Sequence, residues 1–318
     1  MHRQRSVGRR ATGRRPRTWV DTIQEGEFDI GTEILLIWQS NLEYSVDKQC
    51  LSHQLTDEER ADFEAQGYLI IRNALPEDMV SRATAALDRV EAKHRKQHGL
   101  TSDEHMNHLD AIGEDDVLLE LLDWPTTFPK VWGALGPYIQ LYHSHYIVTP
   151  PLPEGREKKR LGWHQDSGRL NNDIESDPRP RISVKIGFFL TDASKPGRGN
   201  FHVLPGSHLS NTLPTESSEA ISVLVSAGDA VMFDRRVWHA GSQNFSEITR
   251  KVLFFGYSYR WLKPRDDMTV AHYMERSDPI RRQLLGASPT GGFGFTSPED
   301  EDIPLKQWLE RQGILPGA

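Results

Sequence analysis

The texture of the chain changes at Tyr138. Before it, apolar residues recur at helical spacing; after it, they come in short β-rich runs punctuated by Gly, Pro and Asn. Thr56 with Glu59 three residues on predicts a capped helix start, and Gly67 its left-handed stop. Residues 68–71 then read as a strand. Pro76 predicts the opening of a second helix, with Met79, Val80, Ala83, Ala86, Leu87 and Val90 on one face and an end near Gly99. Shorter helices are expected over 117–122 and 129–135. Strands are expected over 139–148, 182–190, 200–204, 223–225, 230–233 and 252–259. Helices first and many short strands afterwards predict a mainly β domain with flanking helices, its core a double-stranded β-helix of the jelly-roll kind.

That domain is expected over 53–318, with its core at about 55–261 and a C-terminal extension over 262–318. Residues 1–52 read as a separate extension that the domain can lose. The first eighteen residues hold seven Arg and no acid, with too few apolar residues for a targeting helix. They read as a disordered tail or a start placed too far upstream. The net charge of −7 argues against nucleic acid as the main partner. No apolar run approaches the roughly 20 residues that span a bilayer. Cys50 is the single cysteine, so no internal disulfide can form; a reducing, cytoplasmic setting fits, with the Arg-rich start leaving an organellar address open.

Two motifs carry chemistry. His164-Gln165-Asp166 has the spacing that puts two side chains on one side of an extended segment while Gln165 faces away. His239 lies far downstream, in Arg236-Val237-Trp238-His239-Ala240-Gly241. Two His and one carboxylate form the ligand set of a non-haem Fe(II) centre that keeps one face of its octahedron open. Past His239, Arg250 stands at the mouth of an apolar strand, where a guanidinium could fork two hydrogen bonds onto a carboxylate. A dicarboxylate co-substrate needs that arrangement. The same ligands would also suit a cupin-like metalloenzyme that uses no oxo acid, or a non-catalytic metal-binding sensor; Arg250 separates these readings from the first.

Trp163-His164-Gln165-Asp166, the run from Gly199 to His208, Gly228-Asp229 and the stretch from His239 to Arg250 resemble the phytanoyl-CoA dioxygenase family in order and spacing. The resemblance covers about residues 55–261. It implies an Fe(II)- and 2-oxoglutarate-dependent dioxygenase that hydroxylates a small or medium organic substrate with O2, releasing succinate and CO2. It also implies His164, Asp166 and His239 as iron ligands and Arg250 as the 2-oxoglutarate anchor. Ser242 and Tyr146 are the further residues expected at the co-substrate. One departure is visible: members often carry Ser two residues after the distal His, where this chain has Gly241, with Ser242 next.

Other histidines are given quieter roles. His143 and His145 alternate on a strand and face one side, for packing or for the pocket. His105 and His108 have the spacing of a helical pair, but no third ligand is evident nearby. The cations Lys158, Lys159, Arg160, Arg169, Arg179 and Arg181 are expected to line the pocket rim and to favour an anionic substrate.

Overall fold

Helix α1 (Asp57–Gln66) starts and stops where its caps require. Glu59 N–H donates to Thr56 Oγ1, Thr56 N–H donates to the Glu59 carboxylate, and Gly67 takes φ +81°. The computed structural model describes residues 46–157, 160–214 and 219–316. Strand β1 (Tyr68–Ile71) follows, then α2 (Glu77–His98), which buries Met79, Ala83, Ala86, Leu87 and Val90 and ends on a left-handed Gly99. Strand β2 (Met106–Leu109), α3 (Asp116–Glu120) and α4 (Phe128–Leu135) complete the helix-rich part. Because residues 106–109 are extended, His105 and His108 form no helical pair. His108 instead meets His94, at 3.0 Å between their Nδ1 atoms.

The β-rich part supplies β3 (Ile139–Thr149), the short α5 (Gly168–Asp173), β4 (Ser183–Phe189), β5 (Phe201–Val203), β6 (Ile221–Val223), β7 (Ala230–Asp234), β8 (His239–Gly241) and β9 (Arg250–Tyr259). Among the described residues two antiparallel sheets result, one ordered β1-β7-β4-β9-β3-β2 and the other β6-β5-β8. The larger sheet is covered on both faces, so β4 and β7 are buried at every position, the polar Ser183, Lys185 and Asp234 included. Val184, Ile186, Phe188, Met232, Leu253, Phe255 and Tyr257 face the helices. Phe189, Val231, Phe233, Val252 and Phe254 face inward and pack with Phe201, Val203 and Val223 of the smaller sheet. The jelly-roll expectation holds: the chemistry-bearing residues project into the space between the sheets.

Gly187 has a close-packing reason. A Cβ there would lie 2.6 Å from the Phe254 ring. Phe254, freed to lie across β4, comes within 4.8 Å of the His145 ring.

The C-terminal residues are part of the same core rather than an appendage. Helices α6 (Pro279–Leu284) and α7 (Pro304–Arg311) contribute Ile280, Leu284, Leu305, Trp308 and Leu309 to the helix-side cluster. At the other end the domain begins earlier than residue 53. Val46 and Cys50 are buried in that cluster, and Asp47 caps a 3-10 turn over Lys48–Ser52. The extension expected over 1–52 otherwise lies outside the described residues. A chain lacking 1–52 is therefore expected to be less stable than one lacking 1–45 by about 2–5 kcal/mol, the scale of large core losses. Paired urea melts test this, and coincident curves would return the boundary to residue 53.

Candidate active site

His164 and His239 are cross-strand neighbours. Each backbone N–H donates to the other's carbonyl at 3.0 Å, which adds the His164 segment to the edge of β8. Their rings lie 4.3 Å apart between centroids. His164 Nδ1 is 2.9 Å from the Gly162 carbonyl, and His239 Nδ1 is 2.9 Å from the Val237 carbonyl. A carbonyl can only accept, so both rings carry a proton on Nδ1, which leaves Nε2 as the nitrogen able to take a metal. Burial pushes the His239 pKa down to about 4, which keeps that nitrogen free at neutral pH.

Asp166 completes the group. Its main chain is pinned: its N–H donates to Arg235 O at 2.9 Å, and its carbonyl accepts from Asn171 Nδ2 at 2.8 Å. Gln165 turns away, as the spacing requires, to bond Ser210 O and Arg179. The two carboxylate oxygens have different neighbours. Oδ1 lies 3.9 Å from His239 Nε2; Oδ2 lies 2.9 Å from Lys185 Nζ, though out of line for a hydrogen bond. Burial opposes the Asp166 charge, but Lys185, His239 and His164 together hold its carboxyl well below the usual range. Ligand atoms of His164, Asp166 and His239 all fall within 4.8 Å of one another, the one such group among the described residues. Two imidazole Nε2 atoms and a carboxylate fit a divalent iron.

Sequence reading missed Lys185. It is a buried cation in the middle of β4, and its partner Asp166 arrives from a different part of the fold. Lys185→Met is expected to destabilise the metal-free protein by about 3–5 kcal/mol, because it leaves a buried charge unpaired. A divalent ion should restore part of the loss by taking over the carboxylate. Urea melts in EDTA and in Zn(II) measure both effects; an unchanged midpoint in EDTA would remove Lys185 from this role.

These residues line an inner cavity of about 250 Å3, together with His145, Arg250 and Arg265. Ile147, Gly241 and Arg250 join it to an outer cavity of about 860 Å3. Arg250, the first residue of β9, is 4% exposed and has no carboxylate within ion-pair distance among the described residues. Its Nη1 is 3.5 Å from Thr149 Oγ1, its Nε has no partner, and its guanidinium lies over Phe189. Burial alone pulls its pKa down to about 10, so it remains a cation at neutral pH. A buried guanidinium with unused donors is a site for an anion.

Ser242 lines the outer cavity with Arg250. Tyr146 does not reach either one. It alternates with His145 and Ile147 along β3, so its side chain points to the helix side, fully buried in that core. The expected cationic rim is also reduced. Arg160 lines the outer cavity, whereas Arg181 pairs with Glu64 and Asp234, Arg179 bonds Gln165, and Arg169 pairs with Asp173. Lys158 and Lys159 lie outside the described residues.

A family profile described as Phytanoyl-CoA dioxygenase (PhyH) matches residues 63–252, more than half of the chain. The chain belongs to the phytanoyl-CoA dioxygenase family. It is an Fe(II)- and 2-oxoglutarate-dependent dioxygenase. The peroxisomal phytanoyl-CoA dioxygenase of Homo sapiens is 23% identical over 234 residues, covering 63% of this chain and 67% of that one. The ectoine dioxygenase of Nocardia farcinica is 23% identical over 240 residues, covering 63% and 77%. Among solved structures, HygX from Streptomyces hygroscopicus, with nickel and 2-oxoglutarate bound, superposes with a TM-score of 0.54 at 18% identity, covering 66% of this chain and 90% of that one. The carbocyclase SnoK from nogalamycin biosynthesis gives 0.51 at 21% identity, covering 70% and 92%. These two likenesses concern the fold. Within this dioxygenase family, no helix among the described residues of the present member is long and apolar enough to cross a membrane.

Proposed function

We propose that His164 Nε2, His239 Nε2 and Asp166 Oδ1 hold Fe(II), that Arg250 grips the distal carboxylate of 2-oxoglutarate, and that the enzyme hydroxylates a small or medium organic molecule. One observation carries the reading. Two imidazoles are held by carbonyls at Nδ1, with Nε2 turned to a buried carboxylate, in a cavity that also contains a buried guanidinium paired with no acid among the described residues. When bound, the iron and 2-oxoglutarate supply the oxidative decarboxylation to succinate and CO2 that activates O2 against a substrate C–H bond.

The chain's own residues do the positioning. The carbonyls of Gly162 and Val237 fix the ring tautomers, and outer partners of this kind typically strengthen metal binding 10- to 100-fold. Lys185 occupies one oxygen of Asp166, which favours attachment through the other. Retention of the carboxylate supports hydroxylation over halogenation, since a halide would need the place that Asp166 takes. Ser242, beside Arg250 in the outer cavity, is a candidate second contact for the co-substrate. The buried Cys50 supports a reducing compartment, in our reading the cytoplasm.

Anaerobic titration of the Fe(II)-loaded protein with 2-oxoglutarate tests the reading. The expected result is a weak visible charge-transfer band that saturates at one equivalent per site. Its absence, with iron retained, would favour a metalloenzyme that uses no oxo acid.

A further inference from the structure

Strand β3 carries a chain of buried polar groups outside the proposed ligand set and co-substrate anchor. Asp266 is brought back onto the strand because Arg265 N–H donates to Tyr142 O at 2.7 Å. Its Oδ1 lies 2.8 Å from His143 Nδ1, and its Oδ2 accepts from the Ser144 backbone N–H. His143 Nε2 in turn meets His145 Nδ1, and Arg265 Nη1 approaches the same His143 nitrogen at 3.5 Å. His145 is 7% exposed, and its Nε2 has no hydrogen-bond partner among the described residues. That ring lines the inner cavity with His164, Asp166 and His239.

The direction of the chain follows from which groups can donate. The Asp266 carboxylate only accepts, so the proton between it and His143 sits on His143 Nδ1. Arg265 can only donate, so His143 Nε2 is the bare nitrogen of a neutral ring. Burial, with Lys185 and Arg265 nearby, lowers the His143 pKa and outweighs the opposing contact with Asp266. His145 must then donate from Nδ1, which leaves its Nε2 as an acceptor in the cavity. Burial first, then Lys185 and His143, hold the His145 pKa well below the ordinary range, so this nitrogen stays bare at neutral pH.

We propose that His145, with Lys185 and Arg265 lining the same cavity, forms a subsite for a hydroxyl group of the organic substrate. The hydroxyl hydrogen is donated to His145 Nε2, and the hydroxyl oxygen faces the two cations. His143 and Asp266 are positioning residues that fix the tautomer. A protonated amine could donate to the nitrogen but is repelled by Lys185 and Arg265. A carboxylate would set its own lone pairs against that of Nε2. This inference rests on the proposed iron site, which makes the cavity the place where substrate meets the metal.

The test uses the full chain labelled with 15N at histidine, loaded with Zn(II) and 2-oxoglutarate so that the sample is diamagnetic. Phenol, benzylamine and benzoate serve as probes. The nitrogen shifts are expected to report a proton on Nδ1 of both His143 and His145, with the bare Nε2 of His145 moving as phenol is added. Phenol is expected to bind at least tenfold more tightly than either other probe. His145→Phe is expected to weaken phenol at least tenfold. Asp266→Asn is expected to change the His143 tautomer and move the His145 signal, which a merely structural role would not do. A proton on Nε2 of wild-type His145, or equal binding of the three probes, overturns the proposal. Should His145→Phe fail to fold, the wild-type nitrogen shifts and probe ranking still decide. A wild-type chain that takes up neither Zn(II) nor 2-oxoglutarate would count against the iron-site reading, while the nitrogen shifts would still judge the relay.

Discussion

Asp166→Ala is expected to lose Fe(II) retention by more than about 100-fold and to abolish turnover. Loss of an outer partner of a metal ligand typically costs 10- to 100-fold in affinity, and loss of a ligand itself should exceed that. His164→Ala and His239→Ala should match it in activity. The three should differ in stability, because their surroundings differ. Asp166 is the partner of the buried Lys185, so its removal should also destabilise the metal-free fold by about 3–5 kcal/mol. His239 is packed against Phe201 and Phe233, and its truncation should open a cavity. His164 is exposed, so its loss should leave the unfolding midpoint nearly unchanged. Chelator competition for Fe(II), succinate release and urea melts separate these effects. Any one variant with normal turnover would be struck from the ligand set.

Local rules carried well from sequence to structure. The Thr56–Glu59 cap, the left-handed Gly67 and Gly99 and the alternation along β3 depend on residues within a few positions of one another. So does the turning away of Gln165 between the two proposed ligands of its tripeptide. What stayed hidden depends on partners brought together only by the fold. Arg181 is read as a pocket cation until Glu64 and Asp234 arrive from elsewhere to satisfy it. Lys185 looks like a strand irregularity until Asp166 is seen beside it. His143 and His145 look like packing until Asp266 closes the line behind them. Tyr146 was within reach of sequence reasoning: if His145 faces the cavity, period-two alternation puts its neighbour on the other face. Residues 46–52 lack periodicity because their one element is the 3-10 turn Lys48–Ser52, in which Cys50 alone is buried.

Arg250→Ala is expected to raise the 2-oxoglutarate concentration needed for half-saturation by tens- to thousands-fold, with Fe(II) affinity nearly intact. Truncating a buried, charge-assisted contact costs about 2–5 kcal/mol, and each 1.4 kcal/mol is about tenfold. The metal should be spared because the guanidinium bonds none of the three proposed ligands; it lies against Thr149 and Phe189. Stability gives the sharper contrast. Arg250 is buried with no acid to pair with among the described residues, and burial already draws its pKa down. Removing it should therefore leave the unfolding midpoint unchanged or raised, the opposite of the effect expected at Lys185. Arg250→Lys should recover only part of the co-substrate affinity, since an ammonium cannot fork onto a carboxylate and a buried lysine loses its proton more readily. Titrating the charge-transfer band in each variant, alongside a urea melt, reads both quantities. Equal 2-oxoglutarate dependence in Arg250→Ala and wild type would move the anchor to another residue, and a large drop in stability would make Arg250 a structural cation whose partner is still to be found.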